Sequence, residues 1–405
     1  MSKRDQVSHK FGERDFVGEA LFSPCADRIK KIEYFRVPPR WMFVRIESTG
    51  GYVGWGEATL ECHDEAVEGA LSHLIRLYTG WPTDNIEDLW QAAYRTGFYR
   101  GGEVLMSAIA GIDIALWDLK GKRLGVPVWS LLGGLVRDRV QVYCWIGGDR
   151  PDDVAAQAIE KKQAGFKAVK MNATEDLGHL DSPAKLQASV ARLKAVKEQG
   201  LDAGVDFHGR VHRPMAKQLA ALLEPYHPLF IEEPLLPGFI PEIAAIARQS
   251  GIPIALGERL FTRQDFRPYL EQGAVDIVQP DVSHAGGISE TRRIGILAET
   301  YDVGFAPHCP NGPIALAASI AMDLTLPNFV IQEMSWKIHY NVGADLLTYI
   351  KNPDIFKVED GNIKAPLGPG LGLEIDEELV RKVAKEAKPW EGSFWRGEDG
   401  AIREW

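Results

Sequence analysis

Three carboxylates recur at equal intervals in the second half of the chain. Asp206, Glu232 and Glu258 are separated by 26 residues each (232 − 206 and 258 − 232), in the contexts VDFHG, FIEEP and LGER. If each residue ends a strand of a repeating strand–helix unit, the three side chains converge on one point. Converging carboxylates repel each other unless a cation lies between them, and oxygen ligands suit a hard ion such as Mg²⁺. The spacing therefore favours a magnesium site over three separate carboxylates that cap loops.

Two features of this cluster leave alternatives open. Glu232 is followed by Glu233, and because successive strand residues face opposite sides, only one of them can point at the shared site. The spacing alone favours neither strongly. A barrel glycosidase is also compatible with two of the acids, since such enzymes act with a pair of carboxyl groups. The third carboxylate would then have no role.

Two histidines add acid–base chemistry to the cluster. His208 lies two residues beyond Asp206, which places both side chains on one face of a strand by alternation. His308 follows Asp281 by 27 residues (308 − 281), about one strand–helix unit. A carboxylate one strand away holds an imidazole in one tautomer and raises its basicity. Asp281 and His308 therefore form a predicted base dyad, although a lone histidine at a strand end more often makes only a structural hydrogen bond.

Eight short runs rich in β-branched residues must position these groups. From about residue 135 onward they alternate with seven helical stretches, a count that right-handed crossovers close into a (β/α) barrel. A doubly wound open sheet is the structural alternative. Barrel enzymes carry their catalytic groups at the carboxyl ends of several strands, and seven of the eight runs end in an ionisable residue. The runs are Val140–Cys144, Ala168–Met171, Ala203–Asp206, Leu229–Ile231, Ile254–Gly257, Val275–Gln279, Gly304–Pro307 and Phe329–Gln332, and the ionisable residues are Lys170, Asp206, Glu232, Glu258, Asp281, His308 and Glu333.

The part of the chain before the barrel has a different pattern. From Ile32 to Thr59 it alternates between apolar and polar residues with turn residues between, which predicts an antiparallel meander. The segments HDEAVEGALSHLIRLYTG and VLMSAIAGIDIALWDLKGKRLG have helical periodicity, and Gly125-Val126-Pro127 ends the second. We therefore predict an α/β protein, a (β/α)7β TIM-like barrel with an N-terminal α+β capping domain. The expected parts are an extension at 1–31, the capping domain at 32–134, the barrel at 135–334, and a C-terminal segment at 335–405 that returns to the capping domain.

Composition excludes several classes of partner. The 405 residues include 46 Lys and Arg against 56 Asp and Glu, a net charge of −10, so no basic field exists to bind nucleic acid. No window reaches the roughly 18 apolar residues of a membrane span, and no signal-peptide core precedes the barrel. The four cysteines Cys25, Cys62, Cys144 and Cys309 lie far apart, which argues against a disulfide framework or a structural zinc site. A reducing cytoplasm is the expected location, and an acidic substrate would need positive charge from a metal or from placed Lys and Arg.

Several motifs together resemble one family. The segment GIDIALWDLKGKRLGVPV, the carboxylate set, and the motifs VDFHGRVHRPMAK, LGERLFTRQDF, QPDVSHAGGI, APHCPNGPIALA and IQEMS are similar to those of the enolase superfamily, mandelate racemase subgroup. The resemblance runs from about Ile32 to Trp405, nearly the whole chain. It implies a barrel with a capping domain over its mouth, a Mg²⁺ cofactor, a small acid-sugar substrate and a symmetric homo-oligomer.

The resemblance also implies a role for each site residue. Asp206, Glu232 and Glu258 would bind Mg²⁺, which selects the first glutamate of the Glu-Glu-Pro sequence. His308 with Asp281 would remove the proton at C2, as histidine bases do beside a metal-stabilised enediolate. His208 would donate a proton to the leaving hydroxyl, and Glu333 would polarise the substrate carboxylate.

The second barrel strand separates dehydration from racemisation. Many relatives have Lys-x-Lys there, which supplies a second base, whereas this chain has Lys170-Met171-Asn172. The resemblance therefore implies a dehydratase with one base, and Lys170 and Asn172 become contacts to the substrate. D-galactonate, converted to 2-dehydro-3-deoxy-D-galactonate, is the implied substrate, with gluconate or a five-carbon aldonate as alternatives. A non-catalytic binding barrel remains the third class of function.

Two positions depart from the family pattern. Asn311 stands where the family usually has an apolar residue, and Trp336 where it usually has a smaller one. Both are expected on loops at the active-site end, where they would reshape the pocket without touching the reacting groups. Capping-domain residues around Arg40–Phe43 or Tyr94–Gly102 are expected to contact the substrate.

Overall fold

Two separate sheets organise the computed structural model, which describes residues 27–147, 154–172, 177–392 and 394–404. Most of the expected N-terminal extension, with Cys25, therefore lies outside the described residues. The first sheet is antiparallel and belongs to the capping domain. The second is parallel apart from one added strand and forms the barrel.

The capping sheet is the meander that the alternating sequence predicts. Its strands β1, β2 and β3 pair in chain order, and three helices pack beside them. The longest helix approaches β3 so closely that a Cβ at Gly56 would lie 1.9 Å from the carbonyl oxygen of Gly111. It ends at Gly125, whose left-handed φ of 69° needs a glycine, as the sequence indicates. The elements are β1 (Ile29–Val37), β2 (Trp41–Ser48), β3 (Val53–Glu57), α1 (Asp64–Tyr78), α2 (Ile86–Thr96) and α3 (Glu103–Leu124).

Eight parallel strands then alternate with helices, which confirms the expected (β/α)7β barrel. A short helix α4 (Val128–Leu131) leads into it. The strands are β4 (Arg139–Ile146), β5 (Ala168–Asn172), β6 (Asp202–Asp206), β7 (Ile231–Glu232), β8 (Ile254–Leu256), β9 (Ile277–Val278), β10 (Gly304–Phe305) and β11 (Gln332–Met334). The helices between them are α5 (Val154–Gln163), α6 (Pro183–Glu198), α7 (Arg213–Leu223), α8 (Ile240–Gln249), α9 (Arg263–Glu271), α10 (Gly287–Glu299) and α11 (Pro313–Asp323).

The barrel closes between its last strand and the strand before it. β11 pairs with β4, and the amide of Phe305 on β10 donates to the carbonyl of Asn328 at 2.8 Å, just before β11. Large and small side chains share the interior layer, which contains Tyr143, Ala168, Phe230, Ala255, Ile277, Ala306 and Ile331. A Cβ at Gly204 would lie 2.5 Å from the Phe230 ring, so only glycine fits beside this residue. The interior is therefore filled, and open space lies at the ends of the strands.

The C-terminal segment contacts both domains. Its strand β12 (Asn362–Lys364) pairs antiparallel with the start of β4, and its helix α12 (Glu377–Val383) lies against β1. The Nη2 atom of Arg381 on α12 lies 2.9 Å from Glu33 on β1. Among the described residues, no helix has the length and apolar character needed to cross a membrane.

Candidate active site

The polar residues that the sequence places at strand ends meet at one end of the barrel. Asp206 and Glu232 are the last residues of β6 and β7 and are direct partners in the parallel register. Asn172, the last residue of β5, is the partner of Asp206 on its other side. Asp281 and His308 lie three residues beyond β9 and β10 and form a parallel bridge with each other. Residues that are equally spaced in the sequence therefore lie at the same level along the barrel axis.

These residues surround a cavity of about 340 Å³ beneath the capping domain. The capping domain supplies Leu60, Glu61 and Glu103 to its wall, and Tyr340 and Glu404 come from the C-terminal segment. Of the predicted site residues, the cavity is lined by Lys170, Asn172, Asp206, His208, Glu258, His308 and Glu333. Asp281 and Glu232 lie behind the wall and reach the cavity through their partners.

Lys170 is the cation at the centre of the carboxylate cluster. Its Nζ lies 2.5 Å from Glu232 Oε1 and 2.9 Å from Glu333 Oε1, and all three side chains are buried. Burial alone lowers the pKa of Lys170, but Glu232 and Glu333 outweigh it and the pKa lies well above its usual value. Lys170 therefore stays protonated and holds these two acids together.

The two adjacent glutamates, Glu232 and Glu233, point in different directions. Glu232 faces the cluster, accepting hydrogen bonds from Lys170 and from Gln279 Nε2 at 2.7 Å. Glu233 faces away and accepts from the amide of Gly257 at 3.1 Å. Burial, together with the charges of Asp206, Glu333 and Glu258, raises the pKa of Glu232 to about 8 although Lys170 lowers it. Glu232 is thus the glutamate that faces the site.

His208 does not continue the strand, as alternation would require. β6 ends at Asp206, and His208 has a left-handed φ of 54°, rare for a residue with a side chain. This turn folds the ring back, so that Nδ1 lies 2.9 Å from Asp206 Oδ2 while the His208 amide donates to Asp206 Oδ1 at 2.6 Å. The expectation of strand alternation is therefore wrong, but the turn still brings His208 to the cavity.

His308 and Asp281 form the hydrogen-bonded pair that the sequence predicts. His308 Nδ1 lies 2.9 Å from Asp281 Oδ2, and its Nε2 faces Glu258 Oε2 at 3.1 Å. The Asp281 carboxylate is held further by the amide of Ser283 at 2.7 Å. Burial lowers the pKa of His308, but Glu258, Asp281 and Glu333 together raise it to about 10. Nδ1 of His308 is therefore hydrogen-bonded to Asp281, and Nε2 faces Glu258 in the carboxylate cluster.

Asn311 and Trp336 behave differently from the expectation for them. Asn311 Nδ2 donates to Asp281 Oδ2 at 2.8 Å, so this residue does touch the acid–base machinery. Trp336 is not part of the cavity wall and instead packs against Phe166, with their ring centroids 5.7 Å apart, and against the buried Lys161. A loop position in the sequence does not show which way a side chain points, and here one side chain turns toward the site and the other toward α5.

Two sets of residues compare as metal ligands: the three carboxylates predicted from the sequence and one compact group in the structure. Asp206, Glu232 and Glu258 supply only oxygen, which suits Mg²⁺, and burial is the largest cause that raises the pKa of Glu232. The second set is Asp281, His284 and His308, whose ligand atoms lie within 4.8 Å of one another. Both sets already take part in hydrogen bonds: Asp281 accepts from His308 and Asn311, and Glu232 accepts from Lys170 and Gln279. Hard divalent cations such as Mg²⁺ prefer oxygen ligands, which favours the three carboxylates as the predicted site.

Several residues on or near the cavity carry no pattern that marks them in the sequence, and two segments expected to contact the substrate do not line it. Arg40, within the segment expected to meet the substrate, instead holds Glu61 through Nη1 at 2.5 Å and the Pro310 carbonyl through Nη2 at 2.6 Å. His284 stands three residues after Asp281, a spacing that could have suggested one face of a turn. Residues from Tyr94 to Gly101 line a different cavity, within the capping domain.

Comparisons with known proteins agree with this architecture. A family model described as "Mandelate racemase / muconate lactonizing enzyme, N-terminal domain" matches residues 37–133, and one described as "Enolase C-terminal domain-like" matches residues 153–379. D-galactonate dehydratases of Cronobacter sakazakii and Ralstonia pickettii are each 50% identical to this chain over 381 residues, 93% of this chain and 100% of the relative. A crystal structure of an enolase from Agrobacterium radiobacter with sodium and L-malate bound superposes with a TM-score of 0.84 at 30% identity, covering 93% of this chain and 100% of that one.

Proposed function

The chain belongs to the enolase superfamily, and from that premise we propose that it is a hydro-lyase that removes water from D-galactonate to give 2-dehydro-3-deoxy-D-galactonate. The observation that carries the proposal is the pair of histidines, each bound to its own carboxylate at the cavity. His208 follows β6 and His308 follows β10, which are four strands apart in a closed barrel of eight. One base and one acid therefore face each other across the mouth. The two 50% identical D-galactonate dehydratases support the substrate.

His308 is the base in this mechanism, in its neutral form, because a cation held by Glu258 would offset the largest charge that raises the pKa of His308. Its Nε2 takes the proton from C2, while Asp281 on Nδ1 fixes the tautomer and stabilises the imidazolium that forms. Negative charge then builds on the substrate carboxylate. Lys170 places a permanent positive charge at that end of the cavity, and Glu333 orients Lys170 through their 2.9 Å contact. A carboxylate bound there presents C2 to His308.

His208 is the acid. Hydroxide is a poor leaving group, and a protonated imidazole converts the 3-hydroxyl into water as the bond to C3 breaks. Asp206 holds His208 at Nδ1, and the His208 ring lines the cavity that would receive the substrate. Asn172 lines the same wall and offers an uncharged amide to the substrate, where a second lysine would supply another base.

Asp206, Glu232 and Glu258 would hold a Mg²⁺ ion in this mechanism. When bound, the ion supplies positive charge beside the substrate carboxylate. These three acids come from adjacent strands and are the oxygen-only ligand set of the site.

The experiment that tests the proposal is turnover of D-galactonate with Mg²⁺, followed by detection of the 2-keto-3-deoxy acid as its semicarbazone. The wild-type protein is expected to form the product, and the His308→Asn variant is expected to lose at least about 100-fold of that activity. No product from D-galactonate with the wild-type protein would overturn the proposal.

A further inference from the structure

One acid from the capping domain and one histidine from the barrel face each other across the cavity wall. Glu61 lies between β3 and α1, and His284 lies between β9 and α10. Glu61 Oε2 and His284 Nε2 are 3.5 Å apart, with side chains only 16% and 7% exposed. At that separation the two atoms make no good hydrogen bond, and His284 Nε2 has no other hydrogen-bond partner among the described residues. Both side chains line the cavity.

Glu61 is held rigidly from behind. Arg40 binds Oε1 at 2.5 Å, and Arg40 is itself fixed by the Pro310 carbonyl and by the Tyr340 ring, whose centroid lies 4.5 Å from its guanidinium carbon. Burial raises the pKa of Glu61, but the charges of Arg40 and His284 outweigh it, so the pKa lies below its ordinary value. Glu61 therefore presents Oε2 to the cavity as an ionised acceptor.

The backbone beside Glu61 has the same unusual conformation as the backbone beside two of the proposed metal ligands. Cys62 has a φ of 62°, and the corresponding residues after Asp206 and Glu232 are His208 at 54° and Glu233 at 41°. Such conformations cost about 1–3 kcal/mol and cluster where a side chain must be aimed. His227 and Asp302, outside the site, share this conformation, so the assignment of Glu61 depends on its contacts with Arg40 and His284.

The substrate must extend toward this pair. Lys170 and Glu333 mark the end of the cavity that receives the carboxylate, and His308 marks C2. The ring of His284 lies 6.2 Å from that of His308, centroid to centroid, on the side where the capping domain closes the cavity. A chain that presents its C2 proton to His308 therefore passes Glu61 and His284 with its later carbons.

We propose that Glu61 and His284 bind one hydroxyl group of the substrate beyond C3 and thereby select a polyhydroxylated acid. A hydroxyl group is both donor and acceptor, and so it matches one carboxylate and one imidazole N–H. Neither residue has to move, because an oxygen atom that lies beside the pair on the cavity side can be within hydrogen-bond distance of both atoms. This assignment rests on the proposed function, since it names the part of the acid-sugar substrate that the same cavity reads.

The test compares acids that share the configuration of D-galactonate at C2 and C3 but differ beyond C3: D-galactonate, L-arabinonate and the corresponding 2,3-dihydroxybutanoate, a four-carbon acid with no hydroxyl group beyond C3. kcat/KM is measured for the wild-type protein and for Glu61→Gln and His284→Gln. Glu65→Gln is the matched control, because Glu65 is exposed, carries the same charge and lies one helical turn further along outside the cavity. Turnover of the four-carbon acid also reports that each variant is folded.

We expect Glu61→Gln and His284→Gln to lose about 10- to 100-fold in kcat/KM on D-galactonate, the cost of an unpaired polar group. On the four-carbon acid, which lacks the hydroxyl, they should stay within about threefold of wild type. The double variant should lose little more than either single one, because both residues bind the same group. Glu65→Gln should match wild type throughout.

The failures of this inference and of the proposed function give different results. Equal losses on all three acids in the Glu61 and His284 variants, with wild-type protein active on D-galactonate, would overturn the inference and leave the function standing. Wild-type protein that dehydrates none of the three would overturn both.

Discussion

In the proposed mechanism, the acid–base chemistry depends on Asp281. Three donors fix its carboxylate: the ring of His308, the amide of Ser283 and the side chain of Asn311. A carboxylate held in this way keeps the His308 ring in one tautomer and one orientation. The base is therefore positioned before any substrate arrives.

The two histidines should fail at different steps when they are replaced. His308→Asn is expected to abolish both elimination and exchange of the C2 proton with solvent deuterium, because no base remains. His208→Asn should abolish elimination but retain exchange, since C2 can still lose and regain a proton. Proton NMR of D-galactonate in D₂O measures both. Exchange that survives in the His308 variant and disappears in the His208 variant would show that the roles are reversed.

Replacing Asn311 tests the positioning of Asp281. Asn311→Leu removes one charge-assisted hydrogen bond to the carboxylate, worth about 1.5–3 kcal/mol, so kcat on D-galactonate should fall by at least about 10-fold. Ser335→Ala is the matched control, because Ser335 bonds only the backbone carbonyl of Asn311 and leaves the amide side chain in place. An Asn311→Leu variant with unchanged kcat would mean that His308 and Ser283 position Asp281 unaided.

The spacing in the sequence predicts the site residues that end neighbouring barrel strands. It does not predict residues that meet only where the capping domain contacts the barrel. Asp206, Glu232 and Asp281 follow from spacing, because parallel strands in register turn equal intervals into equal height. Glu61 and His284 meet only because the capping domain docks on the barrel. No local periodicity encodes a contact across such a distance along the chain.

Buried acids of the capping domain join its elements to the barrel helices. Glu57 accepts the amides of Gly312 and Ala315 at the start of α11, at 2.7 and 2.9 Å. Asp113 on α3 accepts the amide of Ser289 in the first turn of α10 at 3.0 Å. Helix N-termini present unpaired amides and positive potential, so an acid is the natural partner. These contacts hold the capping domain over the cavity.

Glu57 makes the stability of this junction depend on pH. Burial raises its pKa to about 7, although the amides of Ala315 and Gly312 lower it. The folded state therefore retains a proton that the unfolded state releases above about pH 4.5, and stability falls as pH rises from there to 7, by up to about 3 kcal/mol. The Tm of wild type, measured relative to that of Glu57→Gln, should therefore fall between pH 5 and pH 8. A shift in favour of wild type would mean that the helix end prefers ionised Glu57.

Element boundaries were predictable where the period was strong. The meander, α1, α3 and the eight barrel strands follow the sequence pattern, and Gly125 ends α3 as expected. Several barrel strands are shorter than their apolar runs, as at β9 and β10, because the flanking residues leave the ladder to cover the barrel floor or to form the site. β12 was not predicted, since its pairing with β4 depends on a distant part of the chain.

The whole molecule is acidic yet is proposed to bind an acidic substrate, which requires local positive charge. The net charge is −10, and the described cations nearest the carboxylate cluster are Lys170 and Arg259. A divalent ion at the three carboxylates, as proposed, would supply that positive charge.

Metal removal should therefore stop the reaction. Exhaustive treatment with a chelator is expected to lower turnover of D-galactonate by at least about 100-fold, and added Mg²⁺ should restore it. Glu232→Gln should weaken Mg²⁺ binding measured by calorimetry, whereas Glu233→Gln, which alters the glutamate that faces away, should leave binding close to wild type. Full activity in protein shown by elemental analysis to hold no metal would contradict the magnesium site and favour a metal-free hydrolase.

The most direct test of the account is substrate preference in the intact protein. A site that hydrogen-bonds a hydroxyl group rejects an acid that misplaces it, because buried polar groups are left unpaired. kcat/KM should be measured with Mg²⁺ for D-galactonate, for D-gluconate, which differs at C4, and for the five-carbon aldonates. D-galactonate should be the best substrate by at least about tenfold, roughly 1.4 kcal/mol of discrimination in the transition state. Equal or faster dehydration of D-gluconate or of a five-carbon aldonate would contradict the account.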